Sequence, residues 1–455
     1  MARIGGQRSV AIVGAGWAGL ACAVELARVG HHVTVFEAGK APGGRARSVA
    51  ASDPVDTVDN GQHVLIGPYR DTFALMDRIG VDRRRVLRRL PLRLQATDGL
   101  RLSVPAWPLG LGGLVGVLGA RGLGPGGRRA LLRVARGVAA MLSAPDQTVG
   151  AWLEALQQPP QLVRRLWAPL CVAALNTPAE RASAQVFARV LQDGLLAAGA
   201  AASIEVPARP LGELLPEPAG AWLRSNGADV CLACRVKGLL RASAGAWTLD
   251  TAHGESGPFD AVVVAVAPHQ AADLVDGHAD GETLGRLYGL EYEAIATVHL
   301  QLAAPLPTPA TPLRLLQQND TADGPGEWLV DHGDGRVSVV ISAWRRDTAL
   351  GAASGDGPTD GIEGPAGSAD PLATAVAAQL RRLIPGLPAV TAARTLVEKR
   401  ATFACTPSLH RPAHATGAAG LWLAGDYTAG AYPATLEGAV RSGIECARLA
   451  IAGPG

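Results

Sequence analysis

Aromatic residues are scarce in this 455-residue chain, at 4% of the total, which leaves little material for an aromatic cage around an amine cation. Lysine is nearly absent, with Lys40, Lys237 and Lys399 alone, so arginine carries the positive charge. The 42 basic and 40 acidic residues leave a net charge of +2, and no global field draws the chain to nucleic acid. Six cysteines are too few for a disulfide scaffold and point to a reducing, cytoplasmic compartment. Cys231 and Cys234 have the spacing of a redox or zinc pair, but no second pair or paired histidines follow. They read as small buried residues, and no metal site is expected. The N-terminus lacks the charged, apolar, cleavage-site order of a secretory signal, which predicts that the chain stays where it is made. Residues 102–120 form an uncharged stretch of membrane-spanning length, but Pro105, Pro108 and five glycines argue against a spanning helix. No internal repeat is visible.

What is present is a globular composition, 48% hydrophobic and 18% charged, in a chain long enough for about three domain-sized masses. The first sharp unit runs from Ser9 to Glu37. Val10 to Val13 is an apolar run, the turn Gly14-Ala15-Gly16-Trp17-Ala18-Gly19 follows, and Ala23, Leu26 and Ala27 keep one helix face small. Gly30 can close that helix, and Val33 to Phe36 reads as a second strand ending at Glu37. Gly14 permits the tight turn, Gly16 lets the backbone reach a pyrophosphate, and Gly19 lets helix pack on strand. The helix N-terminus adds partial positive charge, and Glu37 is placed to accept hydrogen bonds from a ribose diol. Strand, helix, second strand and acid fall in register, so the unit predicts an α/β, Rossmann-like dinucleotide-binding domain.

Three further blocks bear on the cofactor. Gly43-Gly44-Arg45-Ala46-Arg47 follows the acid directly, then Asp59-Asn60-Gly61-Gln62-His63. Short strand-like runs surround Val236 and reach from Phe259 to Pro268. Near the C-terminus stand Leu421-Trp422-Leu423-Ala424-Gly425-Asp426 and Thr435-Leu436-Glu437-Gly438-Ala439. In these blocks the chain resembles the flavin-containing amine oxidase and phytoene desaturase superfamily. The resemblance implies a Rossmann-like FAD-binding domain of the amine oxidase type with an inserted, largely helical α+β substrate domain. It implies that Asp426, after Gly425, meets the ribityl and pyrophosphate part of FAD, that the helix carrying Gly438 and Ala439 approaches the flavin, and that the Val236 backbone clamps the adenine. The expected FAD-binding set is Gly14, Ala15, Gly16, Gly19, Glu37, Gly44, Arg45, Gly61, Val236, Gly425, Asp426, Gly438 and Ala439.

Between the cofactor blocks lie two insertions, giving an expected division into residues 1–85, 205–285 and 395–455 for FAD and residues 86–204 and 286–394 for substrate. The first insertion reads as helical at 152–156, 162–175 and 184–196, and the second as strand-like at 296–302 and 337–341. Residues 351–370 read as a surface loop.

Within the superfamily the chain resembles the squalene-associated flavoproteins of bacterial hopanoid clusters, the hydroxysqualene dehydroxylases. Asp59 to Gly67, Leu166 to Pro178, Ala182 to Phe187 and Ala431 to Gly443 carry that resemblance. It implies reductive dehydroxylation of an apolar C30 isoprenoid, with hydride from flavin N5, and an electron donor that the sequence does not name. The insertions, rich in Leu, Val, Ala and Trp with few acids, suit an apolar tunnel, as they also suit an ordinary core. Desaturation by oxidised FAD and a lipid-shuttling flavin scaffold are the rival readings. His63, Tyr432 and Glu437 are the candidate acids; Glu437 reads equally as a helix cap and His63 as a structural hydrogen bonder.

Such a substrate places the protein at the inner face of the cytoplasmic membrane. Residues 102–136, apolar around Trp107 and then basic at Arg121, Arg128, Arg129, Arg133 and Arg136, suit either a peripheral anchor or a buried hairpin followed by a solvated helix face. Arg83, Arg84, Arg85, Arg88 and Arg89 read as a solvated helix end.

Overall fold

The computed structural model describes residues 7–50, 57–105, 111–123, 126–196, 203–242, 245–307, 313–316, 324–345 and 370–452. Its organising element is a five-stranded parallel sheet in the order Leu421–Leu423, Ala261–Val264, Ser9–Val13, His32–Phe36 and Asp229–Cys231. These strands are short β-branched runs because a parallel sheet is covered on both faces, and Val10 to Val13 and Val262 to Val264 are buried. The helix Trp17–Arg28 follows the first strand, and the helix Leu436–Ala452 packs against it. A Cβ at Gly443 would stand 2.1 Å from Ala18 O, so only glycine allows the two helices to approach this closely.

A second, antiparallel sheet of five strands has the order Leu313–Leu315, Trp328–Asp331, Arg336–Trp344, Tyr292–Leu302 and Val390–Phe403. Ala296, Val298, Leu300 and Leu302 face one side, with Leu372, Val376 and Leu380 of the helix Pro371–Leu383. Asp370 caps that helix by accepting from the Leu372 and Ala373 amides. The intervening odd-numbered residues of the strand point the other way, by the two-residue period of a strand.

The first insertion differs from the helical expectation at its start. Leu87–Gln95 and Arg101–Val104 are strands of a four-stranded sheet with Leu65–Ile66 and Ser203–Pro207. Arg88 and Arg89 are therefore strand residues rather than a helix end: Arg88 donates to Asp331 O at 2.9 Å, and Arg89 pairs with Glu205 at 3.3 Å. Arg83 to Arg85 do lie in a short exposed helix, Arg83–Val86. Helices Gly127–Met141, Val149–Ala155, Ala168–Leu175 and Ala184–Val190 follow. Two single π-helical turns, Val163–Trp167 and Leu191–Leu195, interrupt the runs read as continuous helix. The expected strands at 296–302 and 337–341 lie inside Tyr292–Leu302 and Arg336–Trp344. Residues 351–369 and 106–110, with Trp107, lie outside the described residues. Among the described residues, no helix is long and apolar enough to cross a membrane.

Candidate active site

The glycine turn is a cradle open to a ligand. Gly14 has φ +106°, donates to Phe36 O at 2.7 Å, and would bring a Cβ to 2.6 Å from Ala265 O. A Cβ at Gly19 would stand 2.0 Å from Gly14 O. Gly16 bridges Gly43, and a Cβ on Gly44 would lie 3.2 Å from Gly16 Cα, so two glycine backbones meet face to face. Glu37 braces the loop as well as ending the strand: its carboxylate accepts from the Ala15 amide at 2.8 Å and the Gly39 amide at 2.7 Å. The Cys231–Cys234 stretch grips the backbone of Glu37, through Cys231 O at 2.9 Å and the Cys234 amide at 2.8 Å. That backbone contact is a structural use of the pair which spacing alone does not reveal. Cys231 is half-buried, Cys234 is buried, and both are free thiols. Among the described residues no group of three or more His, Cys, Asp or Glu could hold a metal ion.

The later blocks converge on this turn. Arg45 donates to Asp426 Oδ1 at 2.6 Å and to Ala401 O at 2.6 Å, and Asp426 is nearly buried with a side chain 10% exposed. Gly14, Gly16, Glu37, Gly44, Arg45, Gly61, Val236, Gly425, Asp426 and Ala439 line one continuous cavity of about 3570 Å³. A single-ligand pocket measures roughly 300–1,000 Å³, so this one has room for a dinucleotide and a large second molecule. Ala15, Gly19 and Gly438 stand behind the lining and support it; the Gly438 amide is held by Thr435 Oγ1 at 3.0 Å.

The donor set suits a flavin nucleotide. The cradle is backbone without side chains where a pyrophosphate would lie, and buried polar atoms of cavity residues lack a protein partner among the described residues: His269 Nδ1, Thr297 Oγ1, Thr395 Oγ1 and Arg394 Nη2. Buried polar groups are normally paired, so these atoms fit a polar ligand in the cavity. They sit on the sheet strands Tyr292–Leu302 and Val390–Phe403 and in the first turn of the helix Pro268–Val275, and no sequence motif marks them. Elsewhere the wall carries a run of apolar side chains, Leu92, Leu94, Leu170, Leu191, Ile204, Leu313, Trp328 and Val340, interspersed with polar ones such as Asn176, Arg181 and Glu293.

The three candidate acids separate. Glu437 is 1% exposed and faces away from the cavity: it accepts from the Asp71 amide at 3.1 Å and from the Thr72 amide and hydroxyl at 2.9 and 2.7 Å. It therefore caps the neighbouring helix Arg70–Arg78 and is no acid for a cavity ligand. His63 lines the cavity, but burial, reinforced by the Arg45 charge, lowers its pKa to about 4, and the imidazole is neutral near pH 7. Tyr432 lines the cavity and donates to Asp193 Oδ2 at 2.7 Å.

The family model for flavin-containing amine oxidoreductases matches residues 17–451. The chain belongs to that family. This flavin oxidoreductase is 32% identical to a hydroxysqualene dehydroxylase of Rhodopseudomonas palustris over 98% of its length and 99% of the relative's. Its identity to one of Sinorhizobium fredii is 29%, over 98% of each chain. These full-length matches place it in the hydroxysqualene dehydroxylase family. A solved oxidoreductase of Methanosarcina mazei, 14% identical, superposes with a TM-score of 0.70 over 96% of this chain and 99% of that one. The two chains therefore share one fold.

Proposed function

We propose that this flavin oxidoreductase binds FAD and removes the hydroxyl group of hydroxysqualene reductively, yielding squalene as a triterpenoid and hopanoid precursor. The observation that carries the reading is the single cavity that joins the glycine cradle to an apolar passage, in a chain matched end to end by relatives of that name. When bound and reduced, FAD supplies a hydride to the allylic carbon. The carbon–oxygen bond breaks, the departing hydroxyl takes one proton, and water leaves. Arg45, Asp426 and the Gly14 turn would hold the cofactor, and the Val236 backbone would meet its adenine. Leu92, Leu94, Leu170, Trp328 and Val340 exclude bulk water from a carbon that water would otherwise recapture.

A C30 hydrocarbon chain lives in a bilayer, so the same reading places the protein peripherally on the inner membrane face. The helix Gly127–Met141 supports this: Ala130, Leu131, Val134 and Val138 are buried while Arg128, Arg129, Arg133 and Arg136 are exposed, a basic face suited to anionic lipid. Sedimentation with vesicles tests it, with binding to anionic but not zwitterionic lipid expected.

The decisive test of function is anaerobic incubation of dithionite-reduced holoprotein with hydroxysqualene. Squalene formation with flavin reoxidation is the expected outcome. Bleaching of oxidised flavin by squalene or phytoene would establish desaturation instead. Cofactor released by heat should chromatograph as FAD.

A further inference from the structure

Resting on that reading, we infer that Asp193 is the group that receives the substrate hydroxyl and protonates it as it departs, with Tyr432 holding the carboxyl in place. Three observations converge on Asp193. It lies in the π-helical turn Leu191–Leu195, which interrupts the helical stretch following Ala184–Val190; single π turns are frequent at functional sites because the extra residue re-aims the side chains that follow. Leu191, Asp193 and Gly194 of the turn all line the cavity, Leu191 with little of its surface exposed. The turn therefore puts a carboxyl into the wall beside Leu170, Val190 and Leu191. An acid in an apolar passage has a cost unless it has a task.

The second observation is its partner. Tyr432 Oη donates to Asp193 Oδ2 at 2.7 Å across 239 residues of chain. Tyr432 belongs to the loop that leads into the helix Leu436–Ala452, whose Ala439 lines the cofactor part of the cavity. The pair therefore joins the turn that carries Asp193 to the loop that leads into that helix, with both residues on the wall of the same cavity.

The third is the electrostatic setting. The Arg441 guanidinium lies 4.9 Å from the Tyr432 ring centroid and pairs with Asp71 at 3.3 Å. Arg189, one turn before Asp193, contacts Gln192 and adds positive charge near Tyr432. Tyr69, which also lines the cavity, lies close enough to Tyr432 and Glu437 to feel both electrostatically. Burial and the hydrogen bond to Asp193 raise the Tyr432 pKa, so its phenol stays protonated and keeps donating. That donation steadies the carboxylate left once Asp193 has given up its proton.

The step balances. Hydride from the reduced flavin forms the new carbon–hydrogen bond, the carbon–oxygen bond breaks with its electron pair on oxygen, and the Asp193 Oδ1 proton converts the departing hydroxide to water. Solvent reprotonates Asp193 before the next turnover. Binding through the hydroxyl also makes Asp193 the residue that tells an alcohol from a plain hydrocarbon in a passage otherwise sensitive only to length and shape.

The test compares wild type, Asp193→Asn, Asp193→Glu and Tyr432→Phe, each as FAD-loaded, dithionite-reduced protein with hydroxysqualene in single turnover, following flavin reoxidation and squalene. General acid catalysis is worth roughly 10²–10⁴-fold. Asp193→Asn should thus slow squalene formation at least ~100-fold, with its flavin spectrum unchanged. Asp193→Glu, which keeps the carboxyl, should recover part of that rate. Tyr432→Phe should slow the reaction by less than Asp193→Asn, because the carboxyl remains but loses the donor that holds it. A wild-type rate in Asp193→Asn would overturn the inference while leaving the function standing. No conversion by wild type itself would overturn the functional reading, and the inference with it.

Discussion

The Arg45 guanidinium donates to the Asp426 carboxylate at 2.6 Å, tying the loop after the second sheet strand to the tip of the last one, 381 residues away. Both line the cavity, so the ion pair holds two sides of its wall at fixed separation. Removing one partner of a largely buried, hydrogen-bonded charge pair costs about 2–5 kcal/mol, and the exposure of Arg45, 34%, puts this pair near the lower end. Asp426→Ala should therefore weaken FAD binding by about 30-fold, read by fluorescence titration of apoprotein. Glu37→Ala should also lower FAD retention, because it frees the Ala15 and Gly39 amides that brace the glycine turn. Full retention in both variants would place the nucleotide elsewhere.

Gly14→Ala places a methyl group 2.6 Å from the Ala265 carbonyl at a backbone angle that only glycine adopts without strain. The clash is with backbone on a neighbouring strand, and no side-chain rotation relieves it. The variant should purify without colour and with a lower Tm; a yellow protein of wild-type Tm would show that the turn is more yielding than its geometry indicates.

Glu437→Ala separates structure from catalysis. The substitution leaves the Asp71 and Thr72 amides and the Thr72 hydroxyl without their acceptor, and losing a buried cap of this kind costs about 1–3 kcal/mol. Chemical denaturation should register that loss, whereas squalene formed per bound flavin should stay near wild type. A hundredfold loss of turnover at full flavin content would restore Glu437 as an acid.

Acid should destabilise the protein between about pH 6.5 and pH 4. Burial lowers the pKa of His63, His299 and His332 to about 4 each. Because the folded values lie below the unfolded one, the unfolded chain binds more protons in this window, and the stability present above pH 6.5 is lost as pH falls. His299 and His332 both meet Ser338 Oγ at 2.9 Å, so charging either places a cation in a closed polar cluster. Thermal melts across the window should show Tm falling with pH, and His299→Gln should flatten part of that slope.

The parallel-sheet half was legible in the chain because local rules suffice for it. A parallel strand buried on both faces must be an apolar run, and a turn that admits a phosphate must be glycine, so Val10 to Gly19 and Glu37 announce themselves in order. The Gly43–Arg45 and Gly425–Asp426 pieces are readable for the same reason, each being a short backbone feature with one charged residue. The strand at Leu87–Gln95 escaped because its arginines resemble a helix end until Asp331 and Glu205 supply their partners from distant segments. Glu437 was ambiguous because its sequence neighbours say nothing of Thr72. Asp193 carried no signal at all: an acid in a helical stretch is unremarkable until a π turn aims it at a tyrosine 239 residues on. Sequence alone determined where the glycine turn and its strand–helix–strand unit form, since those depend on backbone freedom and residue type. Tertiary structure alone decided which acids face the passage and which cap a helix, since that depends on where two distant side chains meet.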